Sequence, residues 1–267
     1  PDRTLADNCG IESLTYELTG ATTASSPPTG MNYVSSATFN VGVTTVTYTV
    51  TDVNGLTATC SFDVWIKNLD APQFSADCTS ATDVTANADP GVCEATVTVP
   101  APTIDNPCGE AYTITNDSPY KTSDDDASGT YPVGTTTFTW TITDASGNET
   151  VCEQSVTVTD TQAPALACPP DAEDLITDGG CDMISGNIQD PVYSDNCGIE
   201  SLTWEMTGAT VGTSPATGIN NVSTETFNVG VTTVTYTVTD VNGLTNTCSF
   251  DVWIKNLDAP QFSADCT

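Results

Sequence analysis

The fold is decided by residues 43–66, VTTVTYTVTDVNGLTATCSFDVWI. Apolar Val46, Tyr48 and Val50 alternate with threonine, which is the period of a β-strand that buries one face. The turn sequence Asp52-Val53-Asn54-Gly55 follows, in which Asp and Asn side chains cap the turn and Gly accepts a positive φ. The stretch therefore predicts a β-hairpin. Its second strand is predicted to bury a face made of Cys60, Phe62, Val64 and Ile66.

The hairpin belongs to an internal repeat. Residues 39–79 recur as residues 227–267, 188 positions further on, with one change, in which Ala58 becomes Asn246. A more divergent copy, TYPVGTTTFTWTITDASGNETVC, ends at Cys152 between them. The repeat predicts a row of modules. Their bounds are 1–70 (N-terminally truncated), 71–160 and 161–258, and residues 259–267 start a further module.

Each module is predicted to be a small β-sandwich. Shorter strands are expected at Ser13–Leu18, Val92–Val99 and Tyr112–Thr115, and no segment has helical periodicity. A module of about 90 residues, with short strands and closely spaced turns, is typical of an immunoglobulin-like fold. The predicted fold class is therefore all-β, with tandem immunoglobulin-like antiparallel β-sandwiches stapled by disulfides.

The charge of the chain excludes several classes of function. It carries 4 Lys and Arg against 35 Asp and Glu, for a formal net charge of −31, and it has no histidine. This charge repels nucleic acid and anionic membrane surfaces. Without histidine there is no imidazole base and no Ser-His or Cys-His nucleophile pair. We therefore expect a protein that is not an enzyme, binds no nucleic acid and inserts no part of this segment into a membrane.

The cysteine content indicates an oxidising, extracellular location. Eleven cysteines in a Thr- and Asp-rich chain are typical of compartments where disulfides persist. The chain has no apolar run of membrane-spanning length, and its first residues do not resemble a signal peptide. We therefore expect a segment of a longer exported protein.

The disulfide pairing is predicted from the truncated module. A complete module has four cysteines, which allow three connectivities, but the first module retains only the third and fourth, Cys9 and Cys60. If modules are covalently self-contained, these two pair, and the first cysteine of a module pairs with the second. The predicted bridges are Cys9–Cys60, Cys78–Cys93, Cys108–Cys152, Cys168–Cys181 and Cys197–Cys248. Cys266 would then open the next module; the alternative is a free or intermolecular thiol.

The repeat resembles the HYR (hyalin repeat) family. The stretch that ends at Cys152, the preceding DNPCG and the Cys168-Pro169-Pro170 start are similar to the pattern of that module, over essentially the whole chain. The resemblance implies an immunoglobulin-like extracellular module, found in long tandem arrays and associated with adhesion, without a catalytic motif. It also implies relatives in giant bacterial surface proteins, including adhesins of gliding bacteria.

Aspartates at the module ends are candidate Ca²⁺ ligands. The linkers, such as Asn68-Leu69-Asp70-Ala71-Pro72, are similar to the calcium-binding linkers of cadherins. Ca²⁺ requires six to eight oxygen ligands, which a linker and two loops can supply together. The alternative is that these side chains only cap turns. The candidates are Asp7, Asp52, Asp70, Asp105, Asp144, Asp160, Asp195, Asp240 and Asp258.

Two further features are candidate sites. Asp124 and Asp126 begin a sequence that fits the opening of a calcium loop, although Thr135 replaces its final Glu; a solvated acidic loop is the alternative. Trp65 and Trp253 are out of phase with their buried neighbours and are predicted to be exposed. They would pack against an adjacent module or stack on a sugar.

These features together predict a structural and adhesive segment of a surface protein or filament. Disulfides would resist unfolding within modules, short linkers would limit bending, and Ca²⁺ at the junctions would neutralise repulsion. The expected partners are neighbouring HYR modules of the same chain and like chains in a filament. A surface glycan or protein ligand is the alternative.

Overall fold

The computed structural model describes residues 4–75, 83–106, 109–177 and 180–260. In these ranges the chain forms β-strands, loops and one 3-10 turn, Val34–Ser36, with no α-helix. The predicted all-β class is confirmed. The chain divides into two compact units, one made of Pro1–Asp77, Pro102–Thr115 and Trp140–Cys152 and the other of the remaining residues. The three-module division stays a prediction.

The strands are numbered along the chain and grouped by the three predicted modules, whose names are kept for those predicted residue ranges. The first module contains β1 (Ile11–Gly20), β2 (Ala24–Ser25), β3 (Gly42–Asp52) and β4 (Thr57–Ile66). The second contains β5 (Gln73–Phe74), β6 (Val84–Asn87), β7 (Glu94–Val97), β8 (Ile104–Asp105), β9 (Tyr112–Asn116), β10 (Gly129–Pro132), β11 (Gly134–Asp144) and β12 (Glu149–Thr159). The third contains β13 (Ala165–Ala167), β14 (Ala172–Ile176), β15 (Asp182–Ile184), β16 (Val192–Ser194), β17 (Ile199–Gly208), β18 (Gly212–Thr213), β19 (Thr226–Asn228), β20 (Gly230–Asp240) and β21 (Thr245–Asn256).

The third module shows the complete sandwich. Its main sheet has the order β14-β21-β20-β17-β18, and the pairs β13-β16 and β15-β19 form two smaller sheets. The alternating side chains predicted from the repeat form the core between them. The buried set includes Leu202, Phe227, Tyr236, Val238, Phe250, Val252 and Ile254.

The predicted hairpins are present in each module. In the first, β3 pairs with β4 so that Tyr48 faces Cys60, and the Gly55 N–H donates to the Asp52 carbonyl across the turn. In the second, Gly147 donates to Asp144 in the same way. The second module buries the predicted faces of both strands, including Phe138, Trp140, Ile142, Cys152, Val156 and Val158.

The sandwiches are not purely antiparallel, which corrects one detail of the prediction. The second strand of a module pairs in parallel with its last strand: β6 with β12, and β14 with β21. The second module's sheet has the order β6-β12-β11-β9, with β7-β10 and β5-β8 as separate pairs. Because β6 and β14 run in the same direction as the strand that leaves the module, their pairing with that strand is parallel.

The first module is open on one face. Its sheet has the order β2-β1-β3-β4, and Val50 and Phe62 are partly exposed where the equivalent Val238 and Phe250 are buried. Its described residues include no counterpart of the β13-β16 pair that helps to cover the third module. The predicted burial of Cys60 and Ile66 is therefore wrong, because both are exposed. A cavity of about 790 Å³ lies against this face, lined by Leu14, Tyr33, Val34, Tyr48, Val50 and Phe62.

Four of the five predicted disulfides are wrong. The structure contains Cys93–Cys197 and Cys168–Cys248, which contradict Cys78–Cys93, Cys168–Cys181 and Cys197–Cys248. Cys9 and Cys181 are exposed free thiols, so Cys9–Cys60 is not formed. The error lies in the assumption that modules are covalently self-contained, because one bridge joins the second module to the third. Cys152 is disulfide-bonded. Cys78, Cys108 and Cys266 lie outside the described residues, so the Cys108–Cys152 pairing stays a prediction.

Among the residues that the structure describes, no helix has the length and apolar character needed to cross a membrane.

Candidate functional site

The linker after β12 is held by side chains of the third module. The Asp160 carboxylate accepts hydrogen bonds from the Gln162 N–H at 3.1 Å and from Asn196 Nδ2 at 3.3 Å. Further along, Asn246 Nδ2 donates to the carbonyl of Pro164 at 3.0 Å. These contacts fix the start and the end of the linker against the third module.

A loop of the second module closes the other side of this junction. Asn196 Nδ2 also donates to the Val92 carbonyl at 3.0 Å, and the Gly91 N–H donates to Gln162 Oε1 at 3.2 Å. Cys93 follows in this loop and is bonded to Cys197, with 4.6 Å between the two Cα atoms. The linker, the Asp89–Cys93 loop and residues 195–197 therefore meet at one place.

Two aspartates and a cysteine sulfur converge on this junction, and a third aspartate is buried nearby in the third module. One oxygen each from Asp160 and Asp195 and the Cys197 sulfur lie within 4.8 Å of one another. Asp195 Oδ2 accepts the N–H groups of Cys197 and Gly198 at 2.7 and 3.1 Å, which fixes this carboxylate at the entry to β17. Asp240, at the end of β20, faces Ile199 across the sheet and is fully buried.

The first junction uses amides at the corresponding places. Asn68 is the repeat equivalent of Asp160, and Asn148 is the equivalent of Leu244. Their Nδ2 groups donate to Asp144 Oδ2 at 3.3 and 2.8 Å. The Thr150 hydroxyl donates to the Pro72 carbonyl at 2.6 Å, as Asn246 does to Pro164. The two junctions therefore share a geometry but differ in chemistry.

Hydrogen bonds lower the pKa of two turn aspartates. At Asp144, burial raises the pKa, but hydrogen bonds from Asn148 and from the N–H groups of Ser146 and Gly147 outweigh it, so the pKa lies below its ordinary value. The hydrogen bond from the Leu56 N–H lowers the pKa of Asp52. Burial opposes this effect, and hydrogen bonds from Asn54 and Gly55 add to it. Both side chains are therefore carboxylates at neutral pH.

Several predicted calcium ligands lie apart from the junction cluster. Asp7 caps its own loop by accepting the N–H groups of Cys9 and Gly10, and Asp52 accepts those of Asn54 and Leu56. The side chains of Asp70, Asp105 and Asp258 are exposed. Of the predicted set, Asp160 and Asp195 therefore lie close together, Asp240 is buried at the end of β20, and Asp144 is partnered by amides.

The acidic loop at Asp124 has the contacts of a surface turn. Asp124 forms an ion pair with Lys121 at 2.7 Å. Asp126 accepts the Ser128 N–H at 2.8 Å. The hydroxyl and the N–H of Ser128 lower the pKa of Asp126, against a smaller effect of burial. These contacts favour the solvated loop over the calcium loop.

The two candidate binding tryptophans are exposed. Trp65 is 75% exposed and Trp253 is 42% exposed. The Lys255 ammonium lies 5.7 Å from the centroid of the Trp253 ring, a distance at which a cation is attracted to the ring face. Their role in module packing or sugar binding stays a prediction.

Sequence reasoning missed the amide side chains of the junctions. Asn68, Asn148 and Asn196 each donate hydrogen bonds there, and none was predicted to do so. A position-by-position comparison of the three linkers would have identified this position, because Asp160 stands where both other copies have Asn.

Two of the solved structures that match this chain are of extracellular cadherin domains. Protocadherin gamma B2 extracellular cadherin domains 1–5 are 10% identical, with a TM-score of 0.31, over 92% of this chain and 53% of that chain. Mouse cadherin-23 EC22–24 is 12% identical, with a TM-score of 0.33, over 91% of this chain and 86% of that chain.

Three curated relatives are animal proteins. Hyalin of Strongylocentrotus purpuratus is 30% identical over 239 residues, covering 86% of this chain and 18% of that protein. Hyalin of Lytechinus variegatus is 25% identical, covering 85% of this chain and 39% of that protein. The sushi, von Willebrand factor type A, EGF and pentraxin domain-containing protein 1 of Rattus norvegicus is 27% identical, covering 71% and 5%. The chain thus spans less than two fifths of each, and the expected bacterial origin is not confirmed.

The family model of the HYR domain matches residues 15–66 and 159–254, which is more than half of the chain. The matched residues include the predicted hairpins of the first and third modules, with strands β3, β4, β20 and β21. The chain therefore belongs to the HYR domain family.

Proposed function

We propose that this chain is a structural and adhesive repeat segment of an extracellular surface protein or filament, and that it acts by maintaining a distance. HYR membership indicates a non-enzymatic module. The observation that carries the proposal is the Cys93–Cys197 bridge, which joins one predicted module to the next. A bridge of this kind supports an oxidising extracellular location, because disulfides persist there.

The junction resists bending because its backbone has fixed partners on both sides. The bridge holds the Asp89–Cys93 loop against residues 195–197, while Asn196 donates to both Val92 and Asp160. Bending at this linker would break these hydrogen bonds and strain a covalent bond. The joined modules therefore behave as one stiff element.

The cysteine positions extend this arrangement to neighbouring modules. Cys9 is the repeat equivalent of Cys197, and Cys181 occupies the same second position as Cys93. Both are free and exposed. Where a like module precedes Cys9 or follows Cys181, each thiol would form the same bridge, giving a continuous covalent ladder.

The charge keeps separate chains apart until cations bind. A net charge of −31 opposes lateral contact between like chains. Divalent cations such as Ca²⁺ at the junctions would reduce the repulsion and stiffen the array. Lateral assembly into a filament would then depend on ionic conditions.

The test is the stiffness of the junction with and without its bridge. In the variant with Cys93→Ser and Cys197→Ser, electron-microscopy images of the full chain should show a wider distribution of angles between the second and third modules. The variant with Cys168→Ser and Cys248→Ser is the matched control, because it removes a bridge within one module. Equal distributions in the two variants, or peptide mapping without a Cys93–Cys197 link, would refute the proposal.

The exposed tryptophans support a second candidate function, the binding of a glycan or protein ligand. Trp65 presents three quarters of its surface to solvent, which is unusual for a large aromatic side chain and typical of a binding contact. Glycan-array binding that is lost on Trp65→Ala and Trp253→Ala, and kept on Tyr112→Ala, would support it. Binding that both tryptophan variants retain would exclude it.

A further inference from the structure

The second junction contains an unusual group of buried oxygens without hydrogen bonds. Within the described residues, Asp160 Oδ2, Asp195 Oδ1, Asn196 Oδ1 and Asp240 Oδ2 are shielded from solvent and have no partner. Buried polar atoms are normally paired, because an unpaired one loses its hydration without compensation. Four such atoms at one junction therefore indicate a place suited to binding a ligand.

The four oxygens come from three segments that converge. Asn196 Nδ2 contacts the other Asp160 oxygen at 3.3 Å, and an oxygen each from Asp160 and Asp195 lie within 4.8 Å. Asp240 and Asp160 are the repeat equivalents of Asp144 and Asn68, whose side chains contact one another at 3.3 Å in the first junction, so the repeat geometry places Asp240 beside Asp160. The linker, the start of β17 and the β20–β21 turn thus surround one space.

The burial of these carboxyl groups favours a cation as their partner. Asp160 is 5% exposed and Asp240 is 0% exposed, and both carry a carboxylate. Their second oxygens accept backbone N–H groups, which position the side chains but do not neutralise them. Like charges within a few ångströms repel strongly where water is excluded.

We propose that Asp160, Asp195, Asn196 and Asp240 bind one Ca²⁺ ion at the junction of the second and third modules. Oxygen-only ligands suit Ca²⁺, which takes six to eight of them, and carbonyls and water would complete the set. Mg²⁺ suits the site less, because it retains more of its own water. The Cys197 sulfur is committed to its disulfide, so no thiolate is present to favour a soft metal.

The first junction explains why the inference is restricted to the second. There the amides of Asn68 and Asn148 satisfy the buried Asp144 oxygen, and Asp105, the equivalent of Asp195, is exposed. Among the described residues, Glu110 Oε1 is the one buried oxygen near that junction without a hydrogen bond, whereas the second junction has four such oxygens. Amide hydrogen bonds thus take the place that the cation has in the second junction.

The test is calorimetric titration of the EDTA-treated full chain with CaCl₂. We expect one site, and Asp160→Asn should weaken Ca²⁺ binding at least tenfold. The new residue occurs naturally at position 68, so the variant should fold. Leu244→Asn should weaken binding as well. It introduces an amide at the position equivalent to Asn148, where it can donate to Asp240 in place of the cation, and it removes no carboxylate. Asp105→Asn and Asp124→Asn are matched controls and should bind like the wild type.

The opposite outcomes would overturn the inference. These are wild-type affinity in both Asp160→Asn and Leu244→Asn, loss of binding in Asp105→Asn, or no binding of Ca²⁺ by the wild type. The inference rests on the proposed function, because the site exists only if the two modules are joined as described. Disulfide mapping separates the two, since the Cys93–Cys197 bridge can be found without Ca²⁺ binding and Ca²⁺ binding without the bridge.

Discussion

Cys93 and Cys197 are joined although 104 residues separate them and they occupy different positions in the repeat. Cys93 is the second cysteine of its module, and Cys197 is the third cysteine of the next. The bond therefore connects the Asp89–Cys93 loop of the second module to residues 195–197 of the third, which lie just before strand β17. The junction between the second and third predicted modules is therefore held by a disulfide and by hydrogen bonds of its own.

The Cys168–Cys248 bridge should stabilise the third module by itself. Its loop spans 80 residues, and loss of a bridge of this kind is expected to cost about 2–4 kcal/mol. Cys168→Ser with Cys248→Ser should accelerate hydrogen exchange in β20 and β21, measured by mass spectrometry. The control is Cys181→Ser, which removes an exposed free thiol and should leave exchange unchanged. Equal exchange in both variants would contradict this prediction.

Tyr236→Phe should destabilise the third module. The Tyr236 hydroxyl accepts the Val222 N–H at 2.9 Å, and both residues are fully buried. Its removal leaves that N–H unpaired, at a cost of about 1–3 kcal/mol. The control is Tyr48→Phe, which removes the equivalent hydrogen bond from the Val34 N–H in the open first module. Water can take the place of the hydroxyl there, so we expect a loss of stability of only about 0.5 kcal/mol. Hydrogen exchange of peptides from each module measures both; a larger effect for Tyr48→Phe would count against the prediction.

Gly129→Ala should disrupt the second module. A Cβ atom at Gly129 would lie 1.8 Å from the Tyr120 carbonyl oxygen, so the backbone would have to move. We expect a loss of more than about 3 kcal/mol in stability, or failure to fold. Gly186→Ala is the matched control, because its Cβ would meet no atom within 4 Å. Circular-dichroism melting compares the variants, and similar melting temperatures would show that the close approach is not maintained.

Acid should destabilise the protein below about pH 4. The pKa values of Asp52 and Asp144 are lowered from 3.8 in the folded state, so both carboxylates favour folding above that pH. This contribution is lost as the pH falls through the lowered values. Asp144→Asn should therefore melt earlier than the wild type at pH 7, and the difference should shrink at pH 3. The control Glu12→Gln, at an exposed position of β1, should show no such trend; a difference that grows in acid would contradict the prediction.

The sequence was sufficient for the hairpins and insufficient for the junctions. Alternation of Phe138, Trp140 and Ile142 with polar residues depends only on which face of a strand is buried, and the structure buries these three. The disulfides depend on which loops lie close together in space. Cys93 and Cys197 are in different modules, so no argument from one module could pair them.

The candidate site was predicted in part for the same reason. Asp160, Asp195 and Asp240 were identified because aspartate at a module end supplies oxygen ligands. Asp70 and Asp105 carry the same residue type, but their side chains are exposed. Burial separates the two groups, and it is visible only in the folded junctions. The replacement of Asp160 by Asn68 in the first linker can be read from the sequence, but its effect on the junction cannot.

The position of the Cys93–Cys197 bond has a consequence for proteolysis. The two cysteines flank the peptide segment 160–164, so a cut in this segment leaves the two fragments attached through sulfur. Tensile force at a severed junction would still be transmitted, and the pieces would separate only after reduction. A surface array built in this way tolerates damage to its main chain at the place where cleavage would otherwise release everything beyond it.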